Sequence, residues 1–275
     1  MINHVVFSIM CISQALCFDY CSISCDGTPH TMCSYADGGP SNCSGFTHGL
    51  TKNQKTYLVQ LHNELRELVA TGKTLPPAAN MMKMIWSEEA AMIAQRWADQ
   101  CTTGEHTDSC RSLTSGEKGG QIITSVAKFR TDDTYNFIRQ TVMRWFTSNE
   151  TVFDAKTIGS YQYDNRSFAF AQMVWAKSDR LGCGFAHGVL KERVEHRFVC
   201  NYYPGAVEGE SVYLVGKPCT KCPFVRCSHD FKSLCEHQSG TVWNRNQPNR
   251  GRVRDSDEVV VFVLVAFSFA WVFRL

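Results

Sequence analysis

Fourteen cysteines among 275 residues constrain this chain more than any other feature. Cysteines form stable disulfides in secreted proteins and stay reduced in the cytosol, so the compartment decides how they are used. A predominantly apolar run over residues 5–12, too short to span a bilayer, precedes small residues, as in a secretory signal peptide. Cleavage fits after Ala15 or after Cys17. The second cut leaves an even number of cysteines, so we expect a signal peptide over residues 1–17.

The charge of the chain is nearly balanced, with 28 basic and 26 acidic residues and a formal net charge of +2. A protein that holds a polyanion by releasing its counterions needs a surplus of basic residues. We therefore expect no nucleic-acid partner. The apolar fraction of 44% is sufficient for the core of a medium-sized domain.

A second apolar segment occupies residues 259–275, after a polar stretch. Its 17 residues are at the lower limit for a membrane-spanning helix. Three arginines between residues 250 and 254 would lie on the extracellular side of such a helix, against the positive-inside rule. Asn249 and Gly251, followed by a polar spacer and the apolar tail, fit a removed GPI signal better. A membrane anchor helix and an unprocessed tail remain the alternatives.

Local patterns predict three helices. Thr51 and Gln54 have the form of a capping box, and the apolar spacing that follows predicts a helix up to Gly72. Ser87 is placed to cap a second helix that runs to Cys101. The carboxylates near Asp132 are typical of the start of a third.

Shorter apolar patterns follow the helices. We predict strands at Phe168–Trp175, Gly182–Phe185 and Arg197–Tyr203, and a disulfide-tied loop over residues 18–50. Helices and strands drawn from separate blocks of sequence favour an α+β sandwich.

Short motifs distributed along the chain support a more specific interpretation. They are Tyr20-Cys21, His30-Thr-Met-Cys33, His62-Asn63 with Arg66, Met84-Ile-Trp86, Gln172-Met-Val-Trp175, Gly182-Cys-Gly184 and Val199-Cys-Asn-Tyr202. In their order and spacing the chain resembles the CAP superfamily of cysteine-rich secretory, antigen 5 and pathogenesis-related proteins. Within that superfamily it resembles the antigen 5 branch of arthropod venoms and saliva.

The resemblance implies a CAP-type α-β-α sandwich with a three- to four-stranded antiparallel sheet, held by disulfides. We place a Cys-rich extension at residues 18–50, the CAP domain at 51–216 and a Cys-rich, hinge-like segment at 217–237. A polar linker at 238–258 and the hydrophobic tail at 259–275 complete the chain.

The resemblance also implies a disulfide pairing. In the domain it pairs Cys21–Cys33, Cys25–Cys110, Cys43–Cys101 and Cys183–Cys200, and in the hinge-like segment Cys219–Cys227 and Cys222–Cys235. In a cytosolic chain the same hinge spacing would suggest a zinc site. Behind a signal peptide, disulfides are favoured.

Many CAP proteins line one cavity with two histidines and two acidic residues, a set that can hold a divalent metal. Transferred one position at a time, this set becomes His106, Gln121, Ser148 and Ala169. Glu117 matches the first acidic position less well, and Glu150 lies two residues beyond the second, about 200° around the helix. We therefore expect a degenerate cavity with no metal, no cofactor and no catalytic residue.

Enzymatic motifs are otherwise missing from the sequence, which has no Gly-x-Ser-x-Gly and no His-Glu-x-x-His. The favoured function is that of a secreted or surface-displayed, non-enzymatic protein. Because family members bind sterols, fatty acids or receptors, the resemblance implies a small lipid or an extracellular protein as its partner. A metal-dependent hydrolase and a GPI-anchored surface antigen with a mainly structural role are the alternatives. Asn149 and Asn165 are the predicted glycosylation sites.

Overall fold

A computed structural model describes residues 19–39, 44–100, 104–127, 134–150, 153–190, 193–223 and 226–237. The predicted signal peptide, the polar linker, the hydrophobic tail and the expected Cys43–Cys101 bond lie outside these residues. So does the beginning of the third helix near Asp132.

Five α-helices and nine strands are described. The helices are α1 (Thr31–Ser34), α2 (Lys52–Ala70), α3 (Glu88–Ala98), α4 (Thr134–Glu150) and α5 (Phe168–Met173). The strands are β1 (Ser24–Cys25), β2 (Thr28–Pro29), β3 (Ser44–His48), β4 (Ile85–Trp86), β5 (Gly120–Ala127), β6 (Arg180–Leu190), β7 (Arg193–Tyr203), β8 (Arg226–Cys227) and β9 (Cys235–Glu236).

The central sheet has the strand order β3-β6-β7-β5, with antiparallel neighbours, and the short strand β4 runs parallel to β6. Cys183 and Cys200 face each other in register on β6 and β7 and form a disulfide there. Two small hairpins, β1-β2 and β8-β9, lie outside this sheet. Four antiparallel strands agree with the predicted sheet, and β4 is an addition to it.

Helices cover both faces of the sheet. On one face Ile122, Phe198 and Tyr202 join the main core with apolar residues of α2, α4 and α5. On the other face Ile123 and Val199 pack with residues of α3. The predicted α+β class and the α-β-α sandwich are therefore confirmed.

The ends of α2 and α3 follow local sequence signals. The Thr51 hydroxyl accepts from the Gln54 N–H at 3.3 Å, and the Gln54 side chain accepts from the Thr51 N–H at 2.8 Å. The helix ends at Ala70, and Gly72 adopts the left-handed φ of +79° that glycine tolerates best. The Ser87 hydroxyl caps α3 by accepting from the Ala90 N–H at 3.2 Å.

One predicted strand is wrong. Residues 168–173 form the helix α5, and every residue from Ala169 to Trp175 is buried. A short apolar run that is buried on every side shows neither the helical nor the strand period. Its pattern therefore cannot distinguish a helix from a strand. Two alanines in the run favour the helix. Strand β5 was not predicted, because polar residues interrupt its apolar positions.

Three buried polar side chains join α2 to other parts of the chain. His62 Nε2 lies 3.0 Å from the Tyr202 hydroxyl on β7, and Asn63 exchanges two hydrogen bonds with the backbone of Met84. Arg66 donates to the carbonyls of five residues in two separate segments, namely Met82, Met173, Trp175, Ala176 and Ser178. These bonds fix the segment before β4 and the turn after α5 against α2.

We expect Gly182→Ala to destabilise the fold by about 1–3 kcal/mol, the range of overpacking substitutions. A Cβ at Gly182 would lie 2.2 Å from the backbone nitrogen of Ala91, so α3 would have to move off the sheet. Gly159→Ala is the matched control, because no atom lies within 4 Å of its added Cβ. Chemical denaturation of both variants measures the difference, and equal midpoints would contradict this account of α3 packing.

Candidate functional site

The structure places the described members of the predicted cavity set, His106, Gln121 and Ala169, in different surroundings. His106 lies exposed in the loop after α3, and its carbonyl accepts from Trp97 Nε1 at 2.9 Å. Gln121 is buried on β5, where its amide donates to Asn201 Oδ1 at 2.8 Å and accepts from the Asp108 N–H at 3.0 Å. Both polar ends of Gln121 are therefore engaged, one with the loop at Asp108 and the other with Asn201 on β7.

Ala169 and Gln121 lie on opposite faces of the sheet. Ala169 belongs to the core that contains Ile122, and side chains alternate along a strand, so Gln121 points away from that core. The side chain of Ser148 lies outside the described part of the chain. Glu117, the poorer alignment, forms an ion pair with Arg180. The described members of the set thus do not converge on a common point.

Cysteine sulfurs form a tighter cluster. The Sγ atoms of Cys219, Cys222 and Cys235 all lie within 4.8 Å of one another. These sulfurs are bonded in disulfides, so they offer no thiolate to a metal. Five bridges are described, and they are five of the six pairs that the resemblance implies: Cys21–Cys33, Cys25–Cys110, Cys183–Cys200, Cys219–Cys227 and Cys222–Cys235.

A groove of about 510 Å³ lies between α2, the segment leading into β4, and the Cys-rich segment. One stripe of α2 forms its first wall, from Lys52 to Asn63. Asp230 and Phe231 of the Cys-rich segment form the opposite wall. The side chain of Ile85, 55% exposed, and that of Trp86 lie between them.

Three lysines line the groove, and two of them are paired. Lys55 Nζ lies 2.8 Å from a Glu88 carboxylate oxygen and 5.5 Å from the centre of the Trp86 ring. The hydrogen bond from Lys55 lowers the pKa of the Glu88 carboxyl below its usual value. Lys83 pairs with Asp230 at 3.2 Å, which likewise lowers the pKa of that carboxyl.

Lys52 is the third lysine of the groove. It is exposed, and the ion pairs found among the described residues do not include it. The lining residues thus supply three positive and two negative charges. The lining of the groove therefore combines apolar side chains with a small excess of positive charge.

Backbone pairing attaches the Cys-rich segment to this groove. The Cys235 N–H donates to the Met81 carbonyl and the Lys83 N–H donates to the Cys235 carbonyl, each at 2.7 Å. Leu234, fully buried, and Phe231 join the main core. Sequence reasoning missed the groove because its two walls are separated by about 170 residues, and no local pattern brings them together.

The model of the cysteine-rich secretory protein family, CAP, matches residues 59–202. The chain belongs to the CAP family. Relatives that are at least 30% identical align with more of the chain than the family model does. Venom allergen 3 of Solenopsis invicta is 34% identical over 226 residues, which cover 75% of this chain and 93% of that protein.

Two further CAP relatives differ in length. Venom allergen 5 of Dolichovespula arenaria is 32% identical over 71% of this chain and 98% of its own length. Venom allergen 5 of Tityus serrulatus is 31% identical over 77% of this chain, which spans only 53% of that protein. The match to antigen 5-like proteins of insects and a scorpion confirms the predicted relationship.

Solved structures confirm the fold alone. Na-ASP-1 superposes with a TM-score of 0.54 at 24% identity, over 72% of this chain and 50% of that one. NaASP2 with Zn2+ superposes with a TM-score of 0.52 at 24% identity, over 72% of this chain and all of that one. Among the described residues, no helix is both long and apolar enough to cross a membrane.

We expect zinc titration to give the same small heat for the wild-type protein and for His106→Ala. The described members of the family set do not converge, and one exposed histidine is not a zinc site. Isothermal calorimetry on both proteins makes the comparison. Saturable zinc binding that His106→Ala abolishes would show that the cavity still assembles a metal site.

Proposed function

We propose that this CAP protein is an extracellular, non-enzymatic binding protein that takes a small lipid in the groove between α2, β4 and the Cys-rich segment. The observation that carries the proposal is the groove itself. Its volume of about 510 Å³ lies within the roughly 300–1,000 Å³ that is typical of small-molecule sites.

The chemistry of the groove favours an amphiphile. Ile85 and Trp86 offer aliphatic and aromatic surface beside the largely buried ring of Phe231, and this surface stabilises an apolar chain by removing it from water. Lys52 offers an ammonium group at the rim that is free to meet a polar or anionic head group. Ile85 is 55% exposed, so a ligand in the groove can cover it.

A non-enzymatic role is supported by the positions of His106, Gln121 and Ala169, which do not form a common reactive centre. A metal-dependent hydrolase would need ligands that the described residues do not bring together. The extracellular location is supported by the predicted signal peptide and by the disulfides. Surface attachment through residues 259–275 remains a prediction.

Glycosylation is part of the same proposal. Asn165 is exposed in the turn before α5, within the acceptor sequence Asn165-Arg166-Ser167. Its position on the surface supports a glycan there. The side chain of Asn149, the second predicted acceptor, lies outside the described residues.

We expect a panel of oleate, cholesterol and lysophosphatidylcholine to contain at least one lipid that raises the melting temperature of the protein by several degrees. A ligand that binds only the folded state at 100 times its Kd adds about 2.7 kcal/mol. Ile85→Glu should abolish the shift, because it places a charge in the apolar part of the groove.

Val207→Glu is the matched control, since Val207 is an exposed apolar residue outside the groove, 48% exposed against 55% for Ile85. Its shift should equal that of the wild-type protein. Equal shifts in both variants would place the lipid elsewhere. If no lipid in the panel stabilises the protein, the small-lipid proposal fails and the extracellular protein partner becomes the better hypothesis.

A further inference from the structure

The two disulfides of the Cys-rich segment differ in their access to solvent. Cys227 is exposed, its partner Cys219 and the neighbouring Cys222 are half-buried, and Cys235 is fully buried. Cys227 is therefore the cysteine of this segment that is most open to a thiolate from solution. Disulfide exchange depends on such access.

The same two disulfides lie against each other. The sulfur of Cys219 is within 4.8 Å of the sulfurs of both Cys222 and Cys235, although it is bonded to neither. When Cys219 loses its bond to Cys227, its thiolate therefore lies beside a second disulfide. An intramolecular attack has to bring this sulfur from within 4.8 Å to bonding distance of its target.

The backbone at Cys219 is strained. Its φ of +61° lies in the left-handed region, which a side chain other than glycine rarely adopts. Such strain persists only where the surrounding structure enforces it, and it is common at switch regions. Opening the Cys219–Cys227 bond removes one of the constraints that hold this conformation.

Basic residues are frequent in the sequence around these four cysteines. Residues 217–237 contain Lys217, Lys221, Arg226 and Lys232 against two acidic residues, Asp230 and Glu236. Both acids are already paired, Asp230 with Lys83 and Glu236 with Lys83 and Arg226. The segment therefore carries a net positive charge, and positive charge favours the thiolate, which is the form that attacks a disulfide.

We propose that the Cys-rich segment is a thiol–disulfide exchange site whose substrate is an external thiol of the glutathione type. The external thiolate attacks Cys227 Sγ, forms a mixed disulfide there and releases the Cys219 thiolate. Cys219 then attacks Cys235 Sγ, forms a Cys219–Cys235 disulfide and releases the Cys222 thiolate, which takes a proton from water. One external thiol is consumed, and no oxidant is needed.

The choice of leaving group follows from burial. A thiolate is better solvated at the half-buried Cys222 than at Cys235, which is fully buried, so Cys222 leaves. The loop that carries Asp230 and Phe231 begins at Cys227. The exchange frees this end of the loop, because Cys227 is no longer bonded to Cys219. Backbone bonds from Cys235 to Met81 and Lys83 still hold its other end.

Peptide mapping of the intact protein after exposure to reduced glutathione tests the proposal. Trypsin cleaves after Lys221, Arg226 and Lys232, so each of these four cysteines is on a separate peptide. Because trypsin does not cut before Pro218, the Cys219 peptide also contains Cys200 and stays linked through it to the Cys183 peptide. After an acid quench and alkylation with iodoacetamide, we expect glutathione on Cys227 and alkylation of Cys222, in a ratio of about one to one. Cys219 and Cys235 should be recovered as a linked pair.

The double variant Cys222→Ser/Cys235→Ser is the matched control, because it keeps the exposed bond and removes the second one. In that variant the alkylated residue should be Cys219. In the wild-type protein, alkylation of Cys219 with an intact Cys222–Cys235 bond would overturn the proposal. Failure of glutathione to add to Cys227 before it adds to the domain cysteines would overturn it as well.

Discussion

The rest of the structure depends on one interaction, the hydrogen bonds between the buried guanidinium of Arg66 and backbone carbonyls. Arg66 is 1% exposed, and its donors meet five backbone carbonyls within 3.3 Å. Burial lowers its pKa to about 9, which still leaves the group charged at neutral pH. A buried charge is tolerated only when its hydrogen bonds are made, and here polar carbonyls meet that need while Asp179 lies near enough to favour the charged form.

This interaction fixes the positions of two parts of the molecule. The carbonyls come from the segment before β4 and from the turn after α5, so one side chain sets both against α2. Asn63 and His62 extend the same contact to Met84 and Tyr202. The segment before β4 also holds the Cys-rich segment by backbone hydrogen bonds, and the groove forms between α2 and the Cys-rich segment. The CAP scaffold is therefore kept, and Gln121, one of the residues predicted to replace a metal ligand, instead bonds to Asp108 and Asn201.

Much of this structure follows from local sequence. The capping box of Thr51 and the cap of Ser87 need only residues three positions apart, so the sequence predicts both helix starts. Features that are built from residues far apart in the chain cannot be predicted from local sequence patterns. The helix α5 is buried on every side by residues from other parts of the chain, so its own sequence has no helical period. The groove brings Lys52 and Phe231 together, although they are far apart in the sequence. Gln121 was predicted as a replaced ligand, yet its hydrogen bonds to Asp108 and Asn201 follow only from the folded sheet.

Denaturation of Arg66→Met measures the central claim most directly. This variant keeps the apolar stem and removes every donor. The Trp175 and Ala176 carbonyls keep a backbone donor, whereas those of Met82, Met173 and Ser178 lose the Arg66 donor at a cost of about 1–3 kcal/mol each. We expect a loss of at least about 3 kcal/mol in the free energy of unfolding, with Arg66→Lys recovering part of it because one ammonium can meet fewer carbonyls. Arg139→Ala, an exposed arginine of α4, should change little. An Arg66→Met protein as stable as Arg139→Ala would contradict the account.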